Sequence, residues 1–400
     1  MSSHLAKRLD AIQPSVTLAM NARAAEMRAT GVEVVGFGVG EPDFEPPAFV
    51  LEAAKKAIDA GASKYTAVTG ILPLRQAICD RHALRGVTAT PDQVCVTVGA
   101  KHALFNLALA LYDPGDEVII PAPYWVSYPE QVRMMGATPV LLPTKEEEGW
   151  RLHPEELARA LTPRTKAVLL CSPSNPTGAA YPEAEMRAIL DVLRPHDCWI
   201  IVDEIYADLV YDDFAQVSAE KIAPDLASRI VIVDGVAKSY AMTGWRIGWV
   251  VGAKHLIKAL DLIQGQSTTN ATAVAQYAAM AALTGPQESV RAMRDHFQAR
   301  RNAMIAGLNS IPGIRCRLPE GAFYAFADCR GLYGLEFHVK PMTTDTEIAF
   351  FFLEKAHVAT VPGGPFGAPG YVRFSYATNE ERIAKGIEAI RTAIASAARV

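Results

Sequence analysis

Six short runs of β-branched and other apolar residues recur between helix-length segments: "VCVTV" at 94–98, "EVIIP" at 117–121, "KAVLLC" at 166–171, "WIIVDE" at 199–204, "RIVIVD" at 229–234 and "RIGWVVG" at 246–252. Apolar strands separated by helices are the pattern of a largely parallel sheet covered on both faces. An α/β core is therefore expected between about residues 94 and 250. Beyond Pro286 the pattern changes to a long charged helix, "SVRAMRDHFQARRNAMIAGLN", then "RCRLPEGAFYAFAD", a helix near 345–357, and a final "YVRFSYA" strand with a helix after it. That mixture predicts a smaller α+β unit. The first 44 residues hold an amphipathic helix and "EVVGFGVGEPDF", too little for a domain. They are expected to pack onto the C-terminal part, giving a large domain over 45–285 and a small one built from 1–44 and 286–400.

The chain has 400 residues, a formal net charge of −4 and 50% hydrophobic residues, enough for two to three domains with large cores. No run of like charge exceeds "KEEE" at 145–148, which argues against nucleic acid and for small substrates. The six cysteines, Cys79, Cys95, Cys171, Cys198, Cys316 and Cys329, form no CxxC or Cys/His cluster, so they read as core thiols without metal or disulfides. The start, "MSSHLAKRLDAIQPS", lacks the apolar stretch of a signal peptide, and no apolar run reaches membrane-spanning length. A cytoplasmic protein with no membrane partner is expected. No internal repeat is visible.

Several strand ends carry residues suited to chemistry. After "VCVTV" come Gly99, Ala100 and Lys101 and then a helix, whose first-turn N–H groups face the carboxyl edge of the sheet and favour a phosphate. Any strand-to-helix turn offers as much, and Lys101 there is equally a solvated residue. "PYWVSY" (123–128) presents Trp125 as a flat aromatic face or as core filler, and "CSPSNPTG" (171–178) holds Asn175 as a rigid amide or in an Asx turn. "WIIVDEIYADLVY" ends a hydrophobic strand in Asp203, with Tyr206 just beyond. A buried carboxylate there is costly unless it meets a cation, and open α/β sheets bind ligands at that edge. "GVAKSYAMTGWRIGW" (235–249) places Lys238 and Arg246 in an apolar, glycine-rich stretch; taken alone, a strand cap and a structural salt bridge would account for both. Together Asn175, Asp203, Tyr206, Lys238 and Arg246 are expected to converge on one crevice. That inventory fits pyridoxal 5′-phosphate, with the lysine forming a Schiff base, the carboxylate keeping the pyridine nitrogen protonated and the arginine pairing with the phosphate.

"GEPDF", "KYTAVTGILPLRQAI", "PAPYWVSYPE", "SPSNPTGAAY", "VDEIY", "AKSYAMTGWRIGW" and "YVRFSYA" occur in one order between about residues 10 and 395. In these motifs the chain resembles the class I/II aminotransferases of the fold-type I pyridoxal phosphate superfamily, and among them the bacterial aspartate aminotransferases most. The resemblance implies a large domain with a mostly parallel seven-stranded sheet between helices, and a smaller α+β domain. It implies that Lys238 carries the cofactor, Asp203 pairs with its ring nitrogen, Asn175 and Tyr206 hydrogen-bond its phenolic oxygen, and Trp125 stacks on the ring. Gly99, Ala100, Lys101 and Arg246 would hold the phosphate. Tyr65 would reach the phosphate of a neighbouring subunit, implying a homodimer with shared sites. Arg373 would take the substrate α-carboxylate, near the Gly40 backbone. One departure is that Gly235 and Ala237 stand where many relatives have serines against the phosphate, which bears on how tightly cofactor is retained.

By the same resemblance, substrate amine displaces Lys238, which then moves the Cα proton and so serves as both covalent anchor and general acid–base. With Lys101 as a second cation for a distal carboxylate, aspartate and 2-oxoglutarate are the expected pair; an aromatic, prephenate or broad-range aminotransferase is the alternative. Ser15 and Thr17 are expected to close over substrate, and Gln13 stands where prephenate-accepting relatives tend to be basic. A nicotinamide dehydrogenase is a distant reading, because "GFGVGEPDF" is spaced GxGxG and Pro42 blocks a following helix. A regulator with a leading DNA-binding domain is disfavoured by the 35 residues ahead of that motif.

Overall fold

A computed structural model of the chain describes residues 6–12 and 16–398. Gln13, Ser15 and the side chain of Thr17 lie outside the described residues. Seven strands form the main sheet: β1 (Val94–Thr97), β2 (Glu117–Ala122), β3 (Thr138–Pro143), β4 (Thr165–Cys171), β5 (Trp199–Asp203), β6 (Ile230–Gly235) and β7 (Gly248–Val251). Their order is β1-β7-β6-β5-β4-β2-β3. Only β7 runs against the others, pairing antiparallel with both β1 and β6.

Successive residues of these strands enter different cores. Val168, Leu170, Ile200, Val202, Ile230 and Ile232 join one cluster, while Ala167, Leu169, Ile201, Val231 and Val233 join another. Both faces are apolar because both are covered, which is why the sequence shows unbroken apolar runs. The strand that the apolar runs did not reveal is β3. It lies at the sheet edge, is only half-buried and contains Pro139 and Pro143, a composition that edge strands tolerate.

A second sheet follows: β8 (Arg315–Cys316), β9 (Tyr324–Asp328), β10 (Val361–Pro362) and β11 (Tyr371–Ser375), in the order β10-β11-β9-β8, all antiparallel. Helices Glu288–Asn309, Asp345–Lys355 and Glu380–Ser396 contribute to its core with Phe297, Phe352 and Ile387. The N-terminal segment is stitched into this part. Val35 and Gly36 pair in parallel with Val358 and Ala359, and the Ser375 amide donates to the Phe37 carbonyl at 2.7 Å. Ile205, Tyr206 and Leu209, just beyond β5, pack into the same cluster, so residues of the main sheet's carboxyl edge are held by the smaller sheet's core.

Phe352 is fully buried, its ring centroid 6.0 Å from that of Phe374. Phe352→Ala is expected to lower stability by about 3 to 5 kcal/mol in urea unfolding. Leu84→Ala, at a position 78% exposed, should leave the midpoint nearly unchanged.

Candidate active site

The carboxyl ends of β1, β4, β5 and β6 open on a crevice of about 990 Å³, a volume suited to a cofactor with substrate. Its lining includes Gly40, Ala100, Lys101, Trp125, Asn175, Asp203, Tyr206, Lys238, Arg246 and Arg373. Gly99 is not in that lining, and Tyr65 is 88% exposed in a separate groove with Tyr277 and Lys56. The structure thus brings ten of the twelve sequence-identified residues together within one chain, and leaves Tyr65 on the outer surface.

Asp203 closes β5 and is 3% exposed. Its Oδ2 accepts from the Tyr128 hydroxyl at 2.8 Å and its Oδ1 from the Ile205 amide at 3.1 Å, but no cation touches it among the described residues. Burial pushes the carboxyl up to about 6, against those hydrogen bonds and the charge of Lys238, which lower it. Tyr128, two residues into the helix Ser127–Met134, is the partner that motif reading passed over, although "PYWVSY" contains it.

Lys238 sits on the single turn Val236–Ser239 that follows β6. Its Nζ donates to the Gly40 carbonyl at 2.6 Å, and burial brings its amine down to about 8, opposed by the charge of Glu41. Arg373, on β11, is 5% exposed. It donates from Nη1 to Asn175 Oδ1 at 2.8 Å and from Nη2 to the Gly38 carbonyl at 2.9 Å. Its guanidinium lies 4.5 Å from the ring centre of Tyr324, its Nε is buried without a partner, and among the described residues it has no carboxylate. Tyr324 in turn shares a hydrogen bond with the Tyr206 hydroxyl at 2.9 Å. No sequence motif marked Tyr324; it comes from "GAFYAF", which reads only as a buried strand.

"GFGVGEPDF" begins no helix: Gly38 and Gly40 offer carbonyl oxygens to Arg373 and Lys238, the opposite of a phosphate-binding loop of N–H donors. A dinucleotide loop is thereby excluded at this place.

Reversal of β7 delivers Arg246 to the edge where β1 ends. Arg246 adopts a left-handed conformation (φ 57°) and donates from Nη1 to the Thr243 carbonyl at 2.8 Å and from Nη2 to the Val98 carbonyl at 3.4 Å, with no carboxylate among its hydrogen-bond partners. Gly99 has φ +84°, and a Cβ there would collide with the Arg246 guanidinium. The Gly99 amide donates to the Thr97 carbonyl at 2.8 Å, so this residue supplies room and turn geometry while the free first-turn donors belong to Ala100 and Lys101. Lys101 extends Nζ to 4.9 Å from the Trp125 ring centre, and burial lowers its pKa, with Arg246 lowering it further.

Gly235 faces Gly248 across the β6/β7 pair, and a Cβ on Gly235 would lie 2.9 Å from the Ile247 carbonyl oxygen. A serine at 235 would thus need the strands to part, which gives a physical reason for glycine there. Cys171 is a free thiol that packs against the core on one face of the main sheet, and it also lines the crevice and pairs with Asp203 in β-register. Among the described residues no three His, Cys, Asp or Glu side chains gather so as to hold a metal ion, and no helix is long and apolar enough to cross a membrane.

Because the folded Asp203 carboxyl lies above the unfolded range, the folded chain binds that proton more tightly, and the ionised group costs stability above about pH 6. The cost disappears below the unfolded value of ~3.9. Asp203→Asn is therefore expected to raise the urea midpoint of the ligand-free chain at pH 7.5 and to lose that advantage near pH 4. A midpoint at or below wild type at pH 7.5 would show that the fold already compensates the charge.

A family model described as aminotransferase class I and II matches residues 32–390. The chain is 46% identical over 387 residues to an aspartate aminotransferase of Geobacillus stearothermophilus, covering 96% of this chain and 98% of that one. It is 47% identical over 380 residues to an aspartate/prephenate aminotransferase of Cereibacter sphaeroides, covering 94% and 95%. The crystal structure of the aspartate aminotransferase from Rhizobium meliloti superposes with a TM-score of 0.96 at 44% identity, covering 99% of this chain and all of that one. With the family model spanning most of its length and a fold-type I architecture around a lysine, a buried aspartate and a buried arginine, this chain belongs to the class I and II aminotransferases.

Proposed function

We propose that this aminotransferase binds pyridoxal 5′-phosphate in the crevice and exchanges the amino group between L-aspartate and 2-oxoglutarate. The observation that carries the reading is Arg373, a buried guanidinium without a carboxylate that faces the same crevice as Lys238 and Asp203. Such a cation is costly unless an anionic ligand completes it.

The residues fit the cofactor. Asp203 is a buried carboxyl suited to a protonated ring nitrogen, and Asn175 and Tyr206 line the same crevice as candidate partners for a phenolic oxygen. Arg246 and the Ala100 and Lys101 amides suit a phosphate, in a turn where Gly99 leaves the space. When bound, pyridoxal phosphate supplies an aldehyde carbon for the substrate nitrogen and a ring that accepts the charge left at Cα. Lys238 Nζ, whose amine burial brings down to about 8, would take the proton from Cα and deliver it to the former aldehyde carbon, so that the nitrogen stays with the cofactor when the oxo acid leaves. Asp203 would accept from the ring nitrogen, Trp125 would lie against the ring, and Arg373 would orient the α-carboxylate with N–H donors not engaged by Asn175 and Gly38.

Lys101 is the cation available for a second carboxylate, which favours aspartate over neutral amino acids. The solved relative from Thermus thermophilus is described as an aspartate aminotransferase with maleate, a dicarboxylate, at 42% identity. The alternative is prephenate or a broader range, which the Cereibacter relative's name brings in. Tyr65, exposed beside Tyr277, supports a homodimer in which it reaches the partner's phosphate. A main-sheet core drawn almost wholly from 45–285, and a second core in which Val35 and Phe37 join residues beyond 286, support a large cofactor-binding domain over 45–285 and a small one from 1–44 and 286–400, with Ile205, Tyr206, Leu209 and Tyr211 packing across the boundary.

Borohydride treatment of the purified protein should fix the cofactor to Lys238, as read by peptide mapping. Lys238→Ala should lose that adduct and at least roughly 10²- to 10⁴-fold in turnover. Near-normal transamination by the variant would overturn the cofactor assignment. Lys101→Ser should weaken aspartate and glutamate by about 10- to 150-fold in kcat/KM while sparing alanine and phenylalanine, the range set by a charge-assisted hydrogen bond. Equal losses across the panel would favour a broad or aromatic specificity.

A further inference from the structure

Outside the crevice lining, two buried carboxylates and a half-buried one gather on one arginine. Glu204 and Asp208 flank Tyr206 in the turn after β5, and Asp234 precedes Gly235, four residues before Lys238. Arg85, only 11% exposed, donates from Nη2 to Asp208 Oδ1 at 2.7 Å and from Nη1 to Asp234 Oδ2 at 2.9 Å, with Glu204 Oε2 at 3.7 Å from the same Nη1. Arg81 adds a second donor to Asp208 at 2.6 Å. Two of the remaining oxygens are turned to local work: Asp234 Oδ1 accepts from the Gly235 amide at 2.7 Å, and Glu204 Oε1 from the Ser218 hydroxyl at 2.9 Å. His82 adds no charge, since its Nε2 accepts from the Trp249 indole and burial brings it down to about 3.

We propose that Arg85 is a positioning residue for transamination, a single guanidinium fork that fixes the turn bearing Asp203 and Tyr206 against the strand end bearing Lys238. The proposal rests on the cofactor reading of the crevice. Lys238 follows β6 and Asp203 ends β5, so besides the β5/β6 ladder itself, the Arg85 fork is the side-chain hydrogen-bond link between these two chain ends among the described residues. Burial raises the Asp234 carboxyl to about 7 against the pull of Arg85, so loss of Arg85 removes both the counter-charge and the bridge to Asp208 and leaves the turn free to shift. A lysine at 85 keeps the charge but cannot reproduce the planar bridge.

The test uses Arg85→Lys and Arg85→Gln in the full chain, first by hydrogen exchange of the cofactor-free protein. Arg85→Lys should accelerate exchange roughly 10-fold in 203–209 and 235–239 while the helix Ala100–Leu111 and strand β11 stay as in wild type. In the holoenzyme, kcat should fall about 10- to 100-fold with KM within roughly 2-fold, as expected for misplaced catalytic groups. Arg85→Gln should be worse in both, so that lysine gives partial rescue. Uniform acceleration throughout the chain, or an unchanged kcat with locally faster exchange, would reduce Arg85 to a structural ion pair. If Arg85→Gln does not fold, Arg85→Lys alone decides by the same criteria. Failure of the wild type to take up cofactor would defeat the functional reading, whereas the exchange measurement judges the clamp without it.

Discussion

Asp203, Lys238 and Arg373 face one crevice, and none is ion-paired with another. Keeping an anion and two cations close but uncancelled is the constraint from which the rest of the architecture follows. Left to themselves, such groups would pair and the crevice would have nothing to offer a ligand. Each is instead given neutral partners: a tyrosine hydroxyl and a backbone amide for Asp203, the Gly40 carbonyl for Lys238, and an asparagine and the Gly38 carbonyl for Arg373. Neutral dipoles hold a charged group in place without satisfying it fully, so binding free energy remains for a ligand of opposite sign.

Holding that arrangement requires rigid supports from different parts of the chain. Asp203 and Lys238 leave adjacent parallel strands whose faces are both packed, so their spacing is set by the β-ladder. Arg373 comes from the second sheet, locked in register opposite Phe326 and Val361. The 38–40 backbone spans the two, accepting from a cation on each side. The cost of the unpaired charges is met by cores on both faces of the main sheet, a separation of stabilising and functional roles common at active sites.

The sequence marked Asp203, Lys238 and Arg246 because each is a charged residue in or at the end of an apolar stretch, a pattern that burial makes expensive; Tyr206 and Asn175 stood out beside strand ends, and Arg373 only by its resemblance to a family motif. Tyr128 and Tyr324 escaped because an aromatic residue inside an apolar stretch is what a core normally contains; only their hydroxyl contacts distinguish them. Arg85 and Asp208 escaped for another reason: they are 123 residues apart, and each looks like an ordinary surface charge until the fold buries them together. Strand β3 was hidden by its own edge position, which permits prolines and partial exposure. Gly99 was placed in the right turn, but its amide is spent within that turn on Thr97.

What the sequence determined by itself was therefore the local: strands buried on both faces, a helix start after β1, and the identity of the charged residues at strand ends, because burial and backbone geometry act on neighbouring residues. What only the tertiary structure decided was direction and distance. The reversal of β7, which brings Arg246 back to the turn after β1, and the β11 register that turns Arg373 toward Asn175 depend on pairings between segments far apart in the chain. Antiparallel and parallel neighbours carry the same apolar residues when both faces are buried, so no local pattern distinguishes them; the hydrogen-bonding partner does.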